Sequence, residues 1–284
     1  MTMTVATGYE DYQGLRVELD SGIAWVTIDN GPVNLFDRIL YAAMSRLGPQ
    51  LATDDRVRVV VLQSANPAFF IAHFDVELIL SIPTPLPPPE VPTAFHAMCE
   101  AFRTMPKATI VKLEGRVGGG GAELAASCDM RFAAIGRAVL NQPEVALGII
   151  PGGSGTQRLP RLLGRSRALE VILGCDDFDA VVAERYGWVN RALPADEIGA
   201  FVERLARRIA SFPPHAVAEA KASVLEHDGN LHEALRQEGG RFNATLEEPV
   251  TQSAMRRFLE TGGQSVEGEM QLGALAGRLG IPPT

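Results

Sequence analysis

Residues 57–62 read VRVVVL, a short run that is β-branched and apolar on both of its sides. A strand with one face in water alternates apolar with polar residues. This run carries apolar side chains for both faces, so both need a cover. Residues 110–113 (IVKL) repeat the pattern more weakly. A hairpin pattern precedes them, with Leu15, Val17 and Leu19 alternating before Asp20-Ser21-Gly22 and an apolar stretch over residues 23–28. Between hairpin and strand, Leu40, Ala43, Met44, Leu47 and Leu51 recur at three- and four-residue steps, the period of a helix.

Beyond residue 160 helical patterns dominate, over 165–173, 180–188, 196–210 and 214–227, with two more after Leu231. Strands alternating with helices and then a helical tail predict an α/β core followed by a helical C-terminal region, without internal repeats. Six prolines in residues 83–92 (PTPLPPPEVP) exclude a helix or a central strand there. They predict an extended surface excursion within the core, not a boundary between domains.

Charge and composition narrow the function classes. With 46% hydrophobic and 21% charged residues the chain is globular in composition, and 284 residues bury a real core. A net charge of −8 without a long basic run argues against nucleic acid as partner. Cys99, Cys128 and Cys175 form no CxxC pair and are odd in number, which argues against a disulfide framework or a zinc site and fits a reduced cytoplasm. The first fourteen residues have no basic segment or apolar core, and no run approaches ~18 apolar residues, so neither export nor membrane spanning is expected.

The chain is rich in glycine and proline, and Gly118-Gly119-Gly120-Gly121 stands out, following the strand-like ATIVKLEG and preceding AELAAS, the start of a helix. Glycines let backbone pass close to a ligand, and amides at a helix N-terminus can stabilise a developing oxyanion, with Glu123 in the first turn beside them; a flexible turn is the plainer reading. Other glycine signatures fail: there is no GxxxxGK[ST], Glu123 stands where GxGxxG needs its last glycine, and Gly152-Gly153-Ser154-Gly155-Thr156 is not GxSxG. A second carboxylate, Glu144, follows Gln142-Pro143; it reads as a helix-start residue or, with Glu123, as half of a proton-transfer pair acting on water.

Taken in order, these segments resemble the crotonase, or enoyl-CoA hydratase/isomerase, superfamily, from about residue 13 to 260. Residues 32–36 (PVNLF) look like the family's loop along the coenzyme A arm, residues 68–75 (AFFIAHFD) align with its AFxAGAD-type segment, residues 119–124 (GGGAEL) match GGGxEL, and residues 142–159 match the next block. The resemblance implies a ββα spiral core, residues 13–205, holding the coenzyme A and active sites, and a C-terminal helical trimerisation region, residues 206–284. It implies an enoyl-CoA hydratase: Glu123 and Glu144 catalytic, an oxyanion hole from the backbone amides of Phe74 and Gly120, and substrate contacts from Asn34, Leu35, Ala72, His73, Asp75 and Gly119. It also implies an acyl-CoA partner, no metal or redox cofactor, no nucleic-acid or membrane partner, and a homotrimer or homohexamer. Family alternatives are a double-bond isomerase, a thioester hydrolase or a non-catalytic acyl-CoA binder.

Several positions depart from the family pattern. His73 occupies a family glycine, where its imidazole would enter the acyl pocket or turn into the packing. Phe74 replaces the usual alanine, and the proline-rich 83–92 replaces a region that often walls the acyl site. Residues 261–263 (TGG) stand where relatives carry Lys-Arg, leaving Arg256 or Arg257 as candidates for the coenzyme A phosphates. The remaining histidines, His96, His215, His227 and His232, offer no constellation.

Overall fold

The computed structural model describes residues 5–279; residues 1–4 and 280–284, the ends of the segments read above, lie outside the described residues. The hairpin forms as expected, with β1 (Leu15–Asp20) antiparallel to β2 (Ile23–Ile28). Its two-residue turn places Ser21 at φ 51° and Gly22 at φ 83°, the positive values that a tight turn between twisted strands requires. Helix α1 (Arg38–Thr53) starts at Asp37, whose carboxylate accepts from the amide of Leu40, and buries Leu40, Ala43, Met44, Leu47 and Leu51.

The chain then coils. β3 (Val59–Ser64) and β4 (Phe69–Ile71) are followed by α2 (Val76–Leu80) and α3 (Ala94–Thr104); β5 (Ala108–Leu113) and β6 (Arg116–Gly118) by α4 (Gly119–Ser127); β7 (Met130–Ala134) and β8 (Val139–Asn141) by a 3-10 turn at Glu144–Leu147. Each pair gives its first strand to one sheet and its second to another. The large sheet has the order β1-β2-β3-β5-β7-β10, parallel from β2 onward, and the small one the order β4-β6-β8-β9, with β4, β6 and β8 parallel. Here β9 is Phe178–Asp179 and β10 is Arg191–Leu193. This is the ββα spiral.

Alternation along β3 explains its two-sided apolar sequence. Val60 and Leu62 face the main core between the sheets and helices, while Val59 and Val61 face Ile198, Val202 and Ala206 of α8 (Ile198–Ala210), which covers the outer side. The strand runs two residues later than the sequence pattern, leaving Val57 before it. Residue 205 falls inside α8, so the helix that closes the core ends beyond the boundary expected at 205/206.

Besides the two-residue β9, two elements depart from the helical reading of the later chain. β10 is a strand of three residues that extends the large sheet beside β7, and a helix, α5 (Gly155–Leu163), already begins within the glycine-rich segment. The others follow the pattern with shifted ends: α6 (Arg165–Gly174), α7 (Ala180–Tyr186), α9 (Pro214–Leu225), α10 (Leu231–Leu246) and α11 (Pro249–Glu260); two short helices, α12 (Val266–Glu269) and α13 (Leu272–Gly277), come in addition to the two expected after Leu231. Residues 83–92 form an irregular excursion, but not a free one. Arg236 on α10 donates to the carbonyl of Pro89 and Asn243 to that of Pro87. Among the described residues no helix is long and apolar enough to cross a membrane.

Because Leu62 is fully buried in the central strand, Leu62→Ala should lower unfolding free energy by about 2 to 5 kcal/mol, read from urea denaturation. An effect below about 1 kcal/mol would contradict the two-sided burial of β3.

Candidate active site

Three consecutive coils of the spiral deliver their loops to one place, the carboxyl ends of β4, β6 and β8, where open parallel sheets commonly bind ligands. The β4 loop carries residues 72–75, the β6 end runs straight into α4, and the β8 end carries residues 142–144. Glycine is required where these strands crowd. A Cβ on Gly118 would lie 2.6 Å from the carbonyl oxygen of Ala72, and one on Gly119, at φ 45°, would lie 2.9 Å from Glu144 Oε1 and 3.1 Å from His73 Cβ.

Among the described residues, the backbone amides of Phe74 and Gly120 have no hydrogen-bond acceptor. Phe36 donates to the carbonyl of His73 and accepts from the amide of Asp75, so the intervening Phe74 amide points away from that pairing. Gly120 lies in the first turn of α4, where amides have no intrahelical acceptor. A Cβ on Gly120 would meet Phe74 Cβ at 3.4 Å, so the two residues adjoin. Both line a cavity of about 300 Å³, together with Glu123 and Glu144.

Glu123 sits in the second turn of α4, one turn later than expected, and its carboxylate does not serve its own helix end. Its Oε1 accepts from the amides of Gly153 (2.8 Å) and Gly155 (2.7 Å). Glu144 opens the 3-10 turn, and its Oε2 accepts from Gln142 Nε2 at 3.0 Å. Burial, with the neighbouring charges of Glu144 and Glu238, pushes Glu123 well above the ordinary carboxylate range against the pull of the Gly155 and Gly153 amides. Burial likewise raises Glu144, to about 7. Two carboxyls of raised proton affinity lining one cavity equip the site both to donate and to accept a proton.

The remaining wall is apolar and aromatic. Phe95 stacks on Tyr41 at 5.9 Å and meets Phe74 edge-on at 5.7 Å. Phe242 of α10 and Leu86 of the proline-rich excursion close the outer side, so residues 83–92 do form part of the pocket wall. A larger cavity, about 550 Å³, opens under α9 with Arg131, Arg161 and Lys221 in its lining, but it contains none of the sequence-predicted site residues.

The other sequence-predicted residues surround the cavity instead of lining it. Asn34, fully buried at φ 50°, has its side chain occupied by the Asn30 amide, the Ser64 hydroxyl and the carbonyls of Phe69 and Phe70. Leu35 and Ala72 belong to a small apolar cluster with Val33 and Phe69, and Asp75 caps α2 by accepting from the Glu77 amide. Arg256 is exposed and Arg257 half-buried on α11, neither beside the cavity.

His73 does not enter the acyl pocket. Its backbone is not among the left-handed residues, and its imidazole turns back into the protein, Nδ1 to the carbonyl of Phe74 (2.8 Å) and Nε2 to Glu269 Oε1 (3.0 Å), with Phe258 edge-on. Both ring nitrogens face acceptors, which calls for a proton on each. Burial opposes that charge, but the Glu269 carboxylate, with the Phe74 carbonyl and the Glu144 charge, outweighs it and raises His73 to about 9. Glu269 Oε1 also accepts from the Gln264 amide, and Gln264 Oε1 accepts from the amide of Val76, so the C-terminal segment grips the loop carrying Phe74 at two points.

Sequence reasoning missed Glu238 and dismissed its partner His96. Both are fully buried, with His96 Nε2 2.8 Å from Glu238 Oε2, and Glu238 also accepts from the Ser154 amide at 2.7 Å and from the Thr156 hydroxyl. The two residues are far apart in the chain and show no motif; the one available signal was a glutamate on the apolar stripe of a helical pattern, beside Leu231 and Leu235.

Comparison with known proteins matches this geometry to a family. The model for enoyl-CoA hydratase/isomerase matches residues 18–269. The chain belongs to the enoyl-CoA hydratase/isomerase family. Among its relatives, "Probable enoyl-CoA hydratase" of Bacillus subtilis (strain 168) is 30% identical over 257 residues, covering 90% of this chain and 99% of that protein. "Crotonyl-CoA hydratase" of Syntrophomonas wolfei is 32% identical over 208 residues, 73% of this chain and 79% of that one. A crystal structure of a "putative enoyl-CoA hydratase" from Streptomyces avermitilis superposes with a TM-score of 0.85 at 41% identity, covering 94% of this chain and 98% of that one.

The His73–Glu269 pair gives this family member a pH-dependent stability. A histidine raised from 6.5 to about 9 on folding stabilises fully below the unfolded value, and its contribution fades as pH rises through the folded one. Burial raises Glu269, but the same pair lowers it on balance from 4.5, and its contribution is lost as pH falls. The melting-temperature gap between wild type and a His73→Gln/Glu269→Gln protein should therefore be widest between about pH 4.5 and 6.5 and close above about pH 9. A gap that widens as pH rises from about 6.5 to about 9 would contradict the charged pair.

Proposed function

We propose that this protein hydrates 2-enoyl-CoA thioesters, adding water across C2=C3. The observation that carries the reading is the shared cavity, in which two buried carboxyls of raised proton affinity stand beside two unpaired amides. The names of the relatives support the same substrate class.

In the proposed reaction the thioester carbonyl oxygen accepts from the amides of Phe74 and Gly120. Attack of water at C3 moves an electron pair through C2 onto that oxygen, and the two amides meet the enolate charge where it develops. Glu123 and Glu144 hold the water between them. One carboxylate takes the water's proton as the C3–O bond forms, and the other, as the acid, delivers a proton to C2 when the enolate collapses. Atoms and charge balance with protein groups and water alone, so the proposal includes no metal or redox cofactor. Gly119 admits Glu144 to this position because a side chain there would collide with its carboxylate. The contacts proposed for the coenzyme A arm are made by the backbone of residues 34, 35, 72, 73 and 75, since the Asn34 and His73 side chains are already engaged.

The protein is proposed to act as a homotrimer or dimer of trimers in the cytoplasm. Apolar side chains left in water support an assembly: α9 buries none of its residues, and Val224 on it is 72% exposed.

Removing a positioned acid or base costs about 10² to 10⁴ in rate. Glu123→Gln and Glu144→Gln should each lower kcat for crotonyl-CoA hydration by about that factor, followed by loss of the conjugated thioester absorbance. Product analysis with 3-enoyl-CoA separates hydration from double-bond migration. Wild-type rates in both variants, or isomer as the sole product, would overturn the reading.

A further inference from the structure

Successive amides of the segment after Pro151 alternate between two carboxylates. Gly153 and Gly155 donate to Glu123, while Ser154 between them donates to Glu238 on α10. Glu238 is fully buried, and three donors converge on it: the Ser154 amide, the Thr156 hydroxyl and His96 Nε2. His96 Nδ1 accepts from the Thr93 amide at 3.1 Å, so the ring proton sits on Nε2 and points at Glu238. This is the environment in which a carboxylate is satisfied by accepting.

The segment they share is one that would not hold its shape unaided. Ser154 adopts φ 102°, a left-handed conformation unusual for a non-glycine residue, and it is fully buried. Its hydroxyl accepts from Arg158 Nε at 2.7 Å, which anchors the side chain but leaves the amide to Glu238. One helical turn beyond Glu238, Phe242 lies where a Cβ on Gly152 would be, 2.4 Å from its Cδ2 position. Helix α10 therefore braces the segment twice from one face.

We infer that Glu238 is a positioning residue for Glu123: through the alternating amides it fixes the segment that holds the Glu123 carboxylate, and its buried charge keeps Glu123 able to carry a proton. The casting of Glu123 as a proton-transfer group rests on the hydratase reading; the clamp itself does not. The negative charge of Glu238 acts in the direction required, raising the proton affinity of both Glu123 and Glu144. Other ionisable groups surround this pair: Glu144 from the 3-10 turn and Cys99 from α3 interact with Glu123, Arg158 of α5 acts on Cys99 and is paired to Glu100, and His96 of α3 faces Glu238. Arg158 touches the segment through the Ser154 hydroxyl, but none of these groups accepts from the Ser154 amide, as Glu238 does.

The test is Glu238→Gln in the full chain, with two readouts. The first is the titration of Glu123, followed as the infrared carboxyl band that Glu123→Gln lacks; its midpoint should fall by at least about one pH unit when the neighbouring charge is removed. The second is kcat for crotonyl-CoA, which should fall at least about tenfold while KM changes less than about twofold, because the wall of the binding cavity is unaltered. In a folded Glu238→Gln protein, an unmoved midpoint or an unmoved kcat overturns the inference. If that protein does not fold, Thr156→Val decides: it removes one hydrogen bond and keeps the charge, and should speed exchange of the Ser154 amide by about tenfold or more. Unchanged exchange there overturns the clamp. Should wild type fail to hydrate crotonyl-CoA, the hydratase reading falls, and the titration alone judges the inference.

Discussion

Glu123, Glu144 and Glu238 lie buried around one segment of backbone, and a buried carboxylate is costly unless donors or a proton meet it. Much of the local sequence follows from that. The donors to Glu123 are main-chain amides that must come within 3 Å of its oxygens, and a Cβ on Gly153 would lie 2.4 Å from Oε2 while one on Gly155 would lie 3.0 Å from Oε1. Glycine is the residue that allows such contact. What the amides leave unmet is met by a raised proton affinity: Glu123 is pushed well above the ordinary carboxylate range and Glu144 to about 7, where an acid or a base is useful at neutral pH. The desolvation that threatens the fold thus sets the proton chemistry of the cavity.

The helical C-terminal region is part of this arrangement and no mere appendage. It supplies Glu238 to the segment that holds Glu123, Phe242 to the cavity wall, and Gln264 and Glu269 to the loop that carries the Phe74 amide. Two buried histidine–glutamate pairs, His73–Glu269 and His96–Glu238, connect spiral and tail. They differ in hydrogen bonding: His73 faces acceptors at both ring nitrogens, whereas His96 accepts from the Thr93 amide at Nδ1.

What could be read from sequence was local. The hairpin turn at Ser21-Gly22, the period of α1 and the two-sided strand β3 each depend on neighbours within a few residues, and each appears where expected within a residue or two. β6, β8 and β10 have three residues each and are held by partner strands, so no period marks them. Helix α5 hides behind its own glycines. Glu123 and Glu144 could be singled out because glycine and proline frame them, and the structure brings them to one cavity. His73 and His96 were opaque because their partners lie 196 and 142 residues away, and nothing in a residue's own neighbourhood announces a contact at that range.

The central claim is that the amides of Phe74 and Gly120 stabilise an enolate while a neighbouring carboxylate moves the proton at C2. The most direct measurement avoids hydration altogether. Incubation of saturated butyryl-CoA with the protein in D2O, followed by proton NMR, reports whether a C2 proton is removed and replaced without any C3 chemistry. The account predicts stereospecific exchange of one C2 proton, abolished when both Glu123 and Glu144 are replaced by Gln. Binding of butyryl-CoA without exchange by the wild-type protein would contradict it.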